Sequence, residues 1–363
     1  MDTVFEGEIR FRQYLSTQGD PLSTLPVWAQ QPEWLTHCYR NMVLARTMDN
    51  KAVALQRTGQ LGTYASLLGI EGIDVPLGLL MHPEDVLVPY YRNHACQMLR
   101  GMPMEDILLY WGGDERGNAA EQQGEDFPNS VPIATQSMHA CGVATALKIR
   151  NEKRVAVTLC GDGATSKGDF LEGLNVAGAW QLPVVFIVNN NQWAISVPRA
   201  LQSGAPTLAQ KAIGAGIRGE QVDGNDAIAM REAIEIALER AREGKGPSLI
   251  EAISYRLSDH TTADDATRYR SNDELKKAWE HEPVKRLRTF LHKQGWWDET
   301  QETIWQDEVN SMVQSAVERY LATPPQPVES LFDYLYAELP EQLREQREWA
   351  MVKAMKGGTH HES

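Results

Sequence analysis

The chain has 363 residues, with 35 Lys plus Arg against 49 Asp plus Glu and a formal net charge of −14. That acidity excludes nucleic-acid or anionic-membrane binding as the main task, since both need a basic field. With 42% hydrophobic and 23% charged residues, the composition is that of a globular protein able to bury an ordinary core.

The first twenty residues mix acids and bases without an apolar h-region, so neither a secretory signal nor a transit peptide is expected. Apolar runs such as Val184–Val188 are far too short to cross a bilayer. Cys38, Cys96, Cys141 and Cys160 show no C-x-x-C spacing and are too sparse for a disulfide framework, which together points to a cytoplasmic protein.

Residues 1–32, interrupted by Pro21, Pro26 and Pro32, read as an irregular extension. From Glu33 to Gln60 the spacing of Trp34, Leu35, Tyr39, Met42, Met48 and Leu55 predicts a helix. Gly59, Gly62 and Gly69 mark loops around Thr63–Leu68, and Val86–Val88 reads as a short strand leading to Tyr90, Tyr91 and Arg92. Elements then alternate: helix Ala140–Ile149, strand Val155–Cys160, helix Phe170–Gln181, strand Val184–Val188. A helix over Ala227–Glu243, with Asn225 or Asp226 as cap and Gly244 as stop, precedes a strand over Ser248–Ile253. This alternation, with fully apolar runs such as VVFIV, predicts an α/β fold: a mostly parallel sheet with helices on both faces. Ligands of such sheets sit at the carboxyl ends of the strands.

From about Asn272 the stripes are helical only, and Pro324, Pro325 and Pro327 form a linker into a helical tail whose last residues, GGTHHES, are expected to fray. The expected organisation is an extension over 1–37, one α/β domain over 38–330 and a tail over 331–363.

The chemistry is concentrated in GDGATSKGDFLEGLNVAGAWQLPVVFIVNNNQWAISVP, Gly161 to Pro198. Two turns fall at the ends of two strands, so Asp162 and an asparagine of the 189–191 triplet can converge. A carboxylate, an amide oxygen and a backbone carbonyl are hard ligands suited to Mg²⁺, with phosphate oxygens completing the shell. The glycines admit backbone N–H groups to a diphosphate, and a helix beginning near Asp169 can add its dipole. The G-x-G-x-x-G dinucleotide fingerprint is absent, because Gly161-Asp162-Gly163 continues as Ala164-Thr165-Ser166. A phosphohydrolase with Asp162 as nucleophile would want D-x-D spacing, which is also missing.

This GDG…NN pattern resembles the thiamin diphosphate motif, and the chain from about Cys38 to Leu335 resembles the α subunit of the 2-oxo acid dehydrogenase E1 component. The likeness extends through YRNMVLARTMD (Tyr39–Asp49), GTYASLLGIEG (Gly62–Gly72), PYYRNH (Pro89–His94), VPIATQ (Val131–Gln136) and DHTTADDATRYR (Asp259–Arg270). It implies Asp162, Asn191 and the Trp193 carbonyl as metal ligands, and Gly163, Ala164, Tyr91 and Arg92 around the diphosphate. Ile133 matches a main-chain contact to the aminopyrimidine, while Asn189 stands where some relatives carry arginine and is expected to face the cofactor.

His260 matches the family's loop histidine, implying proton transfer and orientation during reductive acylation of a lipoyl group, with a pKa near working pH. Asp264 and Asp265 would order its loop, and Tyr64, Tyr90 and Val131 are expected to line the substrate pocket, with His94 close by. The resemblance further implies thiamin diphosphate and Mg²⁺ as cofactors, a β subunit in an α2β2 heterotetramer, and an E2 acyltransferase engaged through its lipoyl and subunit-binding domains. Pyruvate is the expected substrate, with branched-chain 2-oxo acids the alternative and acetoin a third. A non-catalytic binding or assembly subunit of the same fold is the reading of another class.

Overall fold

The computed structural model describes residues 1–119 and 124–357; the frayed end expected for the last residues lies, from 358 on, outside the described residues. The described residues fall into two units, divided after Val317.

The larger unit is built on a six-stranded sheet. Its strands are β1 (Phe11–Arg12), β2 (Val86–Val88), β3 (Ala156–Gly161), β4 (Val184–Asn190), β7 (Arg218–Asp223) and β8 (Ser248–Ile253), in the order β1-β7-β8-β4-β3-β2. Every pairing is parallel. A separate antiparallel hairpin joins β5 (Trp193–Ala194) to β6 (Val197–Pro198). The helices that matter for the site are α1 (Pro32–Arg57), α2 (Glu71–Leu80), α3 (His94–Leu99), α4 (Met104–Trp111), α5 (Thr135–Ile149), α6 (Gly168–Trp180), α7 (Lys211–Gly214) and α8 (Ala227–Arg242).

Strand β4, VVFIVNN, is buried throughout, as a central parallel strand must be. Its pleat divides the core: Val184, Phe186 and Val188 pack with Ala140, Ala144, Phe170 and Leu174 of α5 and α6. Val185 and Ile187 pack on the other face with Ile73 and Leu77 of α2 and Met230, Ala233 and Ile234 of α8. The steps β3→β4 and β7→β8 run across the sheet in opposite directions, with α6 and α8 on opposite faces. The two runs meet at β4 and β8, so the carboxyl ends there open a crevice.

Strands β2 and β8 match the sequence-based ranges, and β3 and β4 extend one and two residues further, to Gly161 and Asn190. Three elements escape the periodicity. Residues 1–32 are not wholly irregular, because Phe11 and Arg12 add an edge strand beside Gln221 and Val222. Its partner β7, RGEQVD, is too polar to read as a strand, yet Glu220 is offset by an ion pair with Arg12 at 2.9 Å. Helix α2 carries Gly72, Pro76 and Gly78; a Cβ on Gly72 would lie 2.5 Å from the Gly224 carbonyl, so the glycine serves close packing rather than a loop.

After the sheet the larger unit continues with α9 (Asn272–Trp279) and α10 (Pro283–Lys293), and α11 covers Glu299–Ala322. Arg286 of α10 is buried and pairs with Asp223 at 2.6 Å. The smaller unit contains α12 (Ser330–Asp333) and α13 (Glu341–Gly357), joined by an Arg347–Asp333 ion pair at 3.3 Å. No helix among the described residues is long and apolar enough to cross a membrane.

Candidate active site

Four adjacent parallel strands deliver their carboxyl-terminal loops to one cleft of about 200 Å³. The loop after β2 contributes Tyr90, Tyr91 and Arg92, and the turn after β3 contributes Gly161 to Ala164. The chain leaving β4 contributes Asn191 and the Trp193–Ile195 segment, and the segment after β8 contributes His260. The approach to α5 closes the cleft with Ile133, Ala134 and Gln136. Ala134 (φ 72°) and Ile195 (φ 54°) both take the left-handed conformation. That costs a β-branched residue such as Ile195 roughly 1–3 kcal/mol, a strain typical of functional sites.

At the floor lies Asp162, 1% exposed. Its Oδ2 accepts a hydrogen bond from Gln202 Nε2 at 2.9 Å, whereas Oδ1 is buried with no partner among the described residues. Burial pushes its pKa up against the opposing Gln202 hydrogen bond and the charge of Arg256, and among the described residues no cationic side chain forms an ion pair with it. A cation is the missing complement. Residues with neutral oxygens line the same cleft: Asn191 Oδ1 closes a turn on the Trp193 amide at 3.2 Å, and the Trp193 carbonyl receives only a long 3.4 Å contact from Arg256. No group of three His, Cys, Asp or Glu side chains able to hold a metal exists among the described residues, so a metal here must rely on amide, carbonyl and ligand oxygens. The residues present therefore fit a diphosphate bound through a divalent cation.

Gly163 makes the turn this tight. A Cβ there would meet Ala194 Cβ at 2.6 Å, so the hairpin can approach only a glycine. We expect Gly163→Ala to push the turn and hairpin apart, costing roughly 1–3 kcal/mol of packing and lowering cofactor affinity about tenfold. Calorimetric titration with a diphosphate ligand and Mg²⁺ would measure it, and unchanged affinity would refute the account.

Across the cleft, His260 is held by two arginines. Arg92, 2% exposed, donates from Nη1 to the Ser66 carbonyl at 2.7 Å and from Nη2 to both the carbonyl and Nδ1 of His260. Arg256 brings Nη1 to 3.4 Å from the same Nδ1 and donates from Nη2 to Tyr269 Oη at 2.7 Å. Facing two donors, Nδ1 is the acceptor, which assigns the ring proton to Nε2. Asp264 accepts from the His260 amide at 2.9 Å and from the Tyr269 hydroxyl, and Asp265 caps the following turn, so both acids order the loop as expected.

The profile of the dehydrogenase E1 component family matches residues 39–329, which contain every residue of this cleft. The chain belongs to that family. Relatives named pyruvate dehydrogenase E1 component subunit alpha include that of Mycoplasma genitalium, 39% identical over 318 residues (88% of this chain, 89% of the relative). Another, from Staphylococcus epidermidis, is 39% identical over 93% of this chain and 91% of the relative. A 3-methyl-2-oxobutanoate dehydrogenase subunit alpha of Mycobacterium tuberculosis is 40% identical over 93% of this chain and 92% of the relative. The chain is thus an α subunit of a 2-oxo acid dehydrogenase E1 component, a thiamin diphosphate-dependent enzyme that works with a β subunit and an E2 component.

Within this E1 α chain, several residues singled out by sequence lie elsewhere. Asn189 does not face the cleft: it is 1% exposed, donates to Tyr90 Oη at 2.9 Å and accepts from Ser254 Oγ. The β4 pleat puts it on the same face as Val185 and Ile187, beneath Tyr90. Tyr64 is a core residue, fully buried, donating to Asp49 at 2.8 Å and stacked on His94, itself fully buried. Val131 is 53% exposed and outside the cleft lining. The helix that begins at the cleft is α5, not α6, because a 3₁₀ turn (Asp162–Ser166) separates α6 from the strand end. His260 also departs from a pKa near working pH: burial and the charges of Arg92 and Arg256 push it down to about 4.

Conversely, Gln136, Gln202 and Arg256 belong to the site although none was singled out from the sequence, since each reaches it from a separate loop or helix start.

Proposed function

We propose that this E1 α chain holds thiamin diphosphate through Mg²⁺ and directs it to pyruvate, passing the acyl group to a lipoyl group of E2. The observation that carries this is the buried, unpaired Asp162 oxygen beside Asn191, facing Arg92 and His260 across one cleft. Asp162, Asn191 and the Trp193 carbonyl would hold the metal, and the Gly163 and Ala164 amides with Tyr91 and Arg92 would surround the diphosphate. Ile133 would meet the aminopyrimidine through its main chain. When bound, the cofactor supplies the carbanion-stabilising chemistry of 2-oxo acid decarboxylation.

The chain's own residues do the rest. Tyr90, pinned by Asn189, gives the substrate a rigid wall, and Ile133 and Ile195 at the rim exclude water. His260 presents Nε2–H to the incoming lipoyl group while Arg92 and Arg256 fix the ring. The cleft is completed by a β subunit in an α2β2 heterotetramer, with E2 docking through its lipoyl and subunit-binding domains. The body over 38–330 carries the site, and four buried free cysteines suit a cytoplasmic enzyme.

The 40% identical relative named for 3-methyl-2-oxobutanoate favours a branched-chain substrate as the second reading. A panel of 2-oxo acids on the reconstituted αβ enzyme, read by ferricyanide reduction, separates the two. We expect kcat/KM for pyruvate to exceed that for 3-methyl-2-oxobutanoate by about tenfold or more, the discrimination that one or two alkyl carbons support. The reverse order would assign the branched-chain activity.

A further inference from the structure

Helix α1 carries one carboxylate on its buried face. Asp49 is 1% exposed, in a stripe otherwise made of residues such as Met42, Met48, Ala52 and Leu55. All of its hydrogen bonds go to one loop. Oδ1 accepts from the Tyr64 hydroxyl at 2.8 Å and the Leu67 amide at 2.7 Å, and Oδ2 accepts from Ser66 Oγ at 2.6 Å. The same loop is the anchor of the histidine loop. The Thr262 amide donates to the Tyr64 carbonyl at 2.8 Å and the Tyr64 amide donates to Thr262 Oγ1 at 2.9 Å, two residues beyond His260. The Ser66 carbonyl accepts from Arg92, whose other nitrogen holds His260.

We propose that Asp49 is a positioning residue for His260, acting through Tyr64 and Ser66 rather than touching substrate or cofactor. This rests on the role given to His260 above. A buried carboxylate with every partner on a single short loop fixes that loop against α1, and the paired bonds between Tyr64 and Thr262 pass the constraint to the histidine. Without the carboxylate, three donors lose their common acceptor and the 64–67 loop is free to shift.

The test uses the assembled αβ enzyme and an E2 lipoyl domain. Asp49→Ala should slow lipoyl acylation about 30-fold, the scale of loss that an ångström-level misplacement produces, while cofactor affinity changes about threefold or less. Amides of residues 259–268 should exchange hydrogen faster. Asp49→Asn keeps the Oδ1 acceptor for Tyr64 and Leu67 and can donate to Ser66 Oγ, so it should restore acylation to within about threefold of the parent. On a His260→Ala background, Asp49→Ala should add nothing, because both changes remove the same contribution. A further loss on that background, or full acylation by Asp49→Ala alone, overturns the proposal. If His260→Ala itself acylates normally, the role of His260 fails first, and the assignment of Asp49 with it. Should Asp49→Ala not assemble, Tyr64→Phe removes one of the three donors and should show the same pattern at about threefold to tenfold.

Discussion

Asp162→Ala is expected to abolish retention of thiamin diphosphate by the αβ enzyme and to lower 2-oxo acid oxidation by about 10³-fold or more. The reason is electrostatic. Asp162 brings the one carboxylate among the proposed metal ligands, and its Oδ1 is buried without a partner. Removing it leaves Asn191 Oδ1 and the Trp193 carbonyl, two neutral oxygens that cannot hold a divalent cation against water. The fold, by contrast, should not suffer. Burial raises the Asp162 pKa, so below the raised value the folded chain holds a proton that the unfolded chain has released. Its contribution to stability is therefore greatest at low pH and is lost as pH rises and the side chain ionises. In the cofactor-free protein at neutral pH the alanine variant should melt at or above the temperature of the parent. Calorimetry with and without Mg²⁺ reads the binding, and a thermal scan reads the fold. Cofactor retention by the variant would remove the metal assignment; a large fall in melting temperature would make Asp162 a structural acid instead.

His260→Ala should slow lipoyl acylation by about 10²- to 10³-fold, the range of a lost preorganised hydrogen-bond donor, with cofactor affinity nearly unchanged. The charge state follows from geometry. Burial and the flanking Arg92 and Arg256 hold the imidazole pKa down to about 4, against about 6.5 for an exposed histidine. A lowered pKa means that the neutral ring favours the fold. The contribution is fully present above about pH 6.5 and is lost progressively as pH falls toward 4. The ¹⁵N shifts of the His260 ring in the cofactor-free enzyme should accordingly stay those of the neutral Nε2–H form near pH 5, where exposed histidines are protonated. A titration midpoint near 6.5 would show that the two arginines do not govern the ring.

The metal-side half of the site was legible because it is local. Asp162 ends one apolar strand and Asn191 follows the next, and a parallel pair joined by one helix brings consecutive carboxyl ends side by side. The neighbouring residues were not legible for the same geometric reason. Asn189 and Asn191 are the same residue type two positions apart, but β4 continues to Asn190 and its pleat turns Asn189 toward Tyr90, while Asn191 lies past the strand end in the cleft. Tyr64 sits in a stretch that resembles the family, yet its hydroxyl finds Asp49 rather than the pocket.

Net acidity excludes a basic binding surface but says nothing of the cleft: a −14 chain still places Arg92 and Arg256 around His260. Periodicity determined the α/β class and the central strands, and the GDG–NN spacing together with the matching blocks determined the family. Those signals are short-range, set by 2.0- and 3.6-residue repeats and by residues consecutive in the chain. The edge strand from residues 11–12, the Arg92–His260–Arg256 contacts that keep the imidazole neutral, and the Asp49 anchor behind them join segments far apart in sequence. Only the tertiary structure decided these, because the field at a buried side chain depends on which distant groups are packed against it.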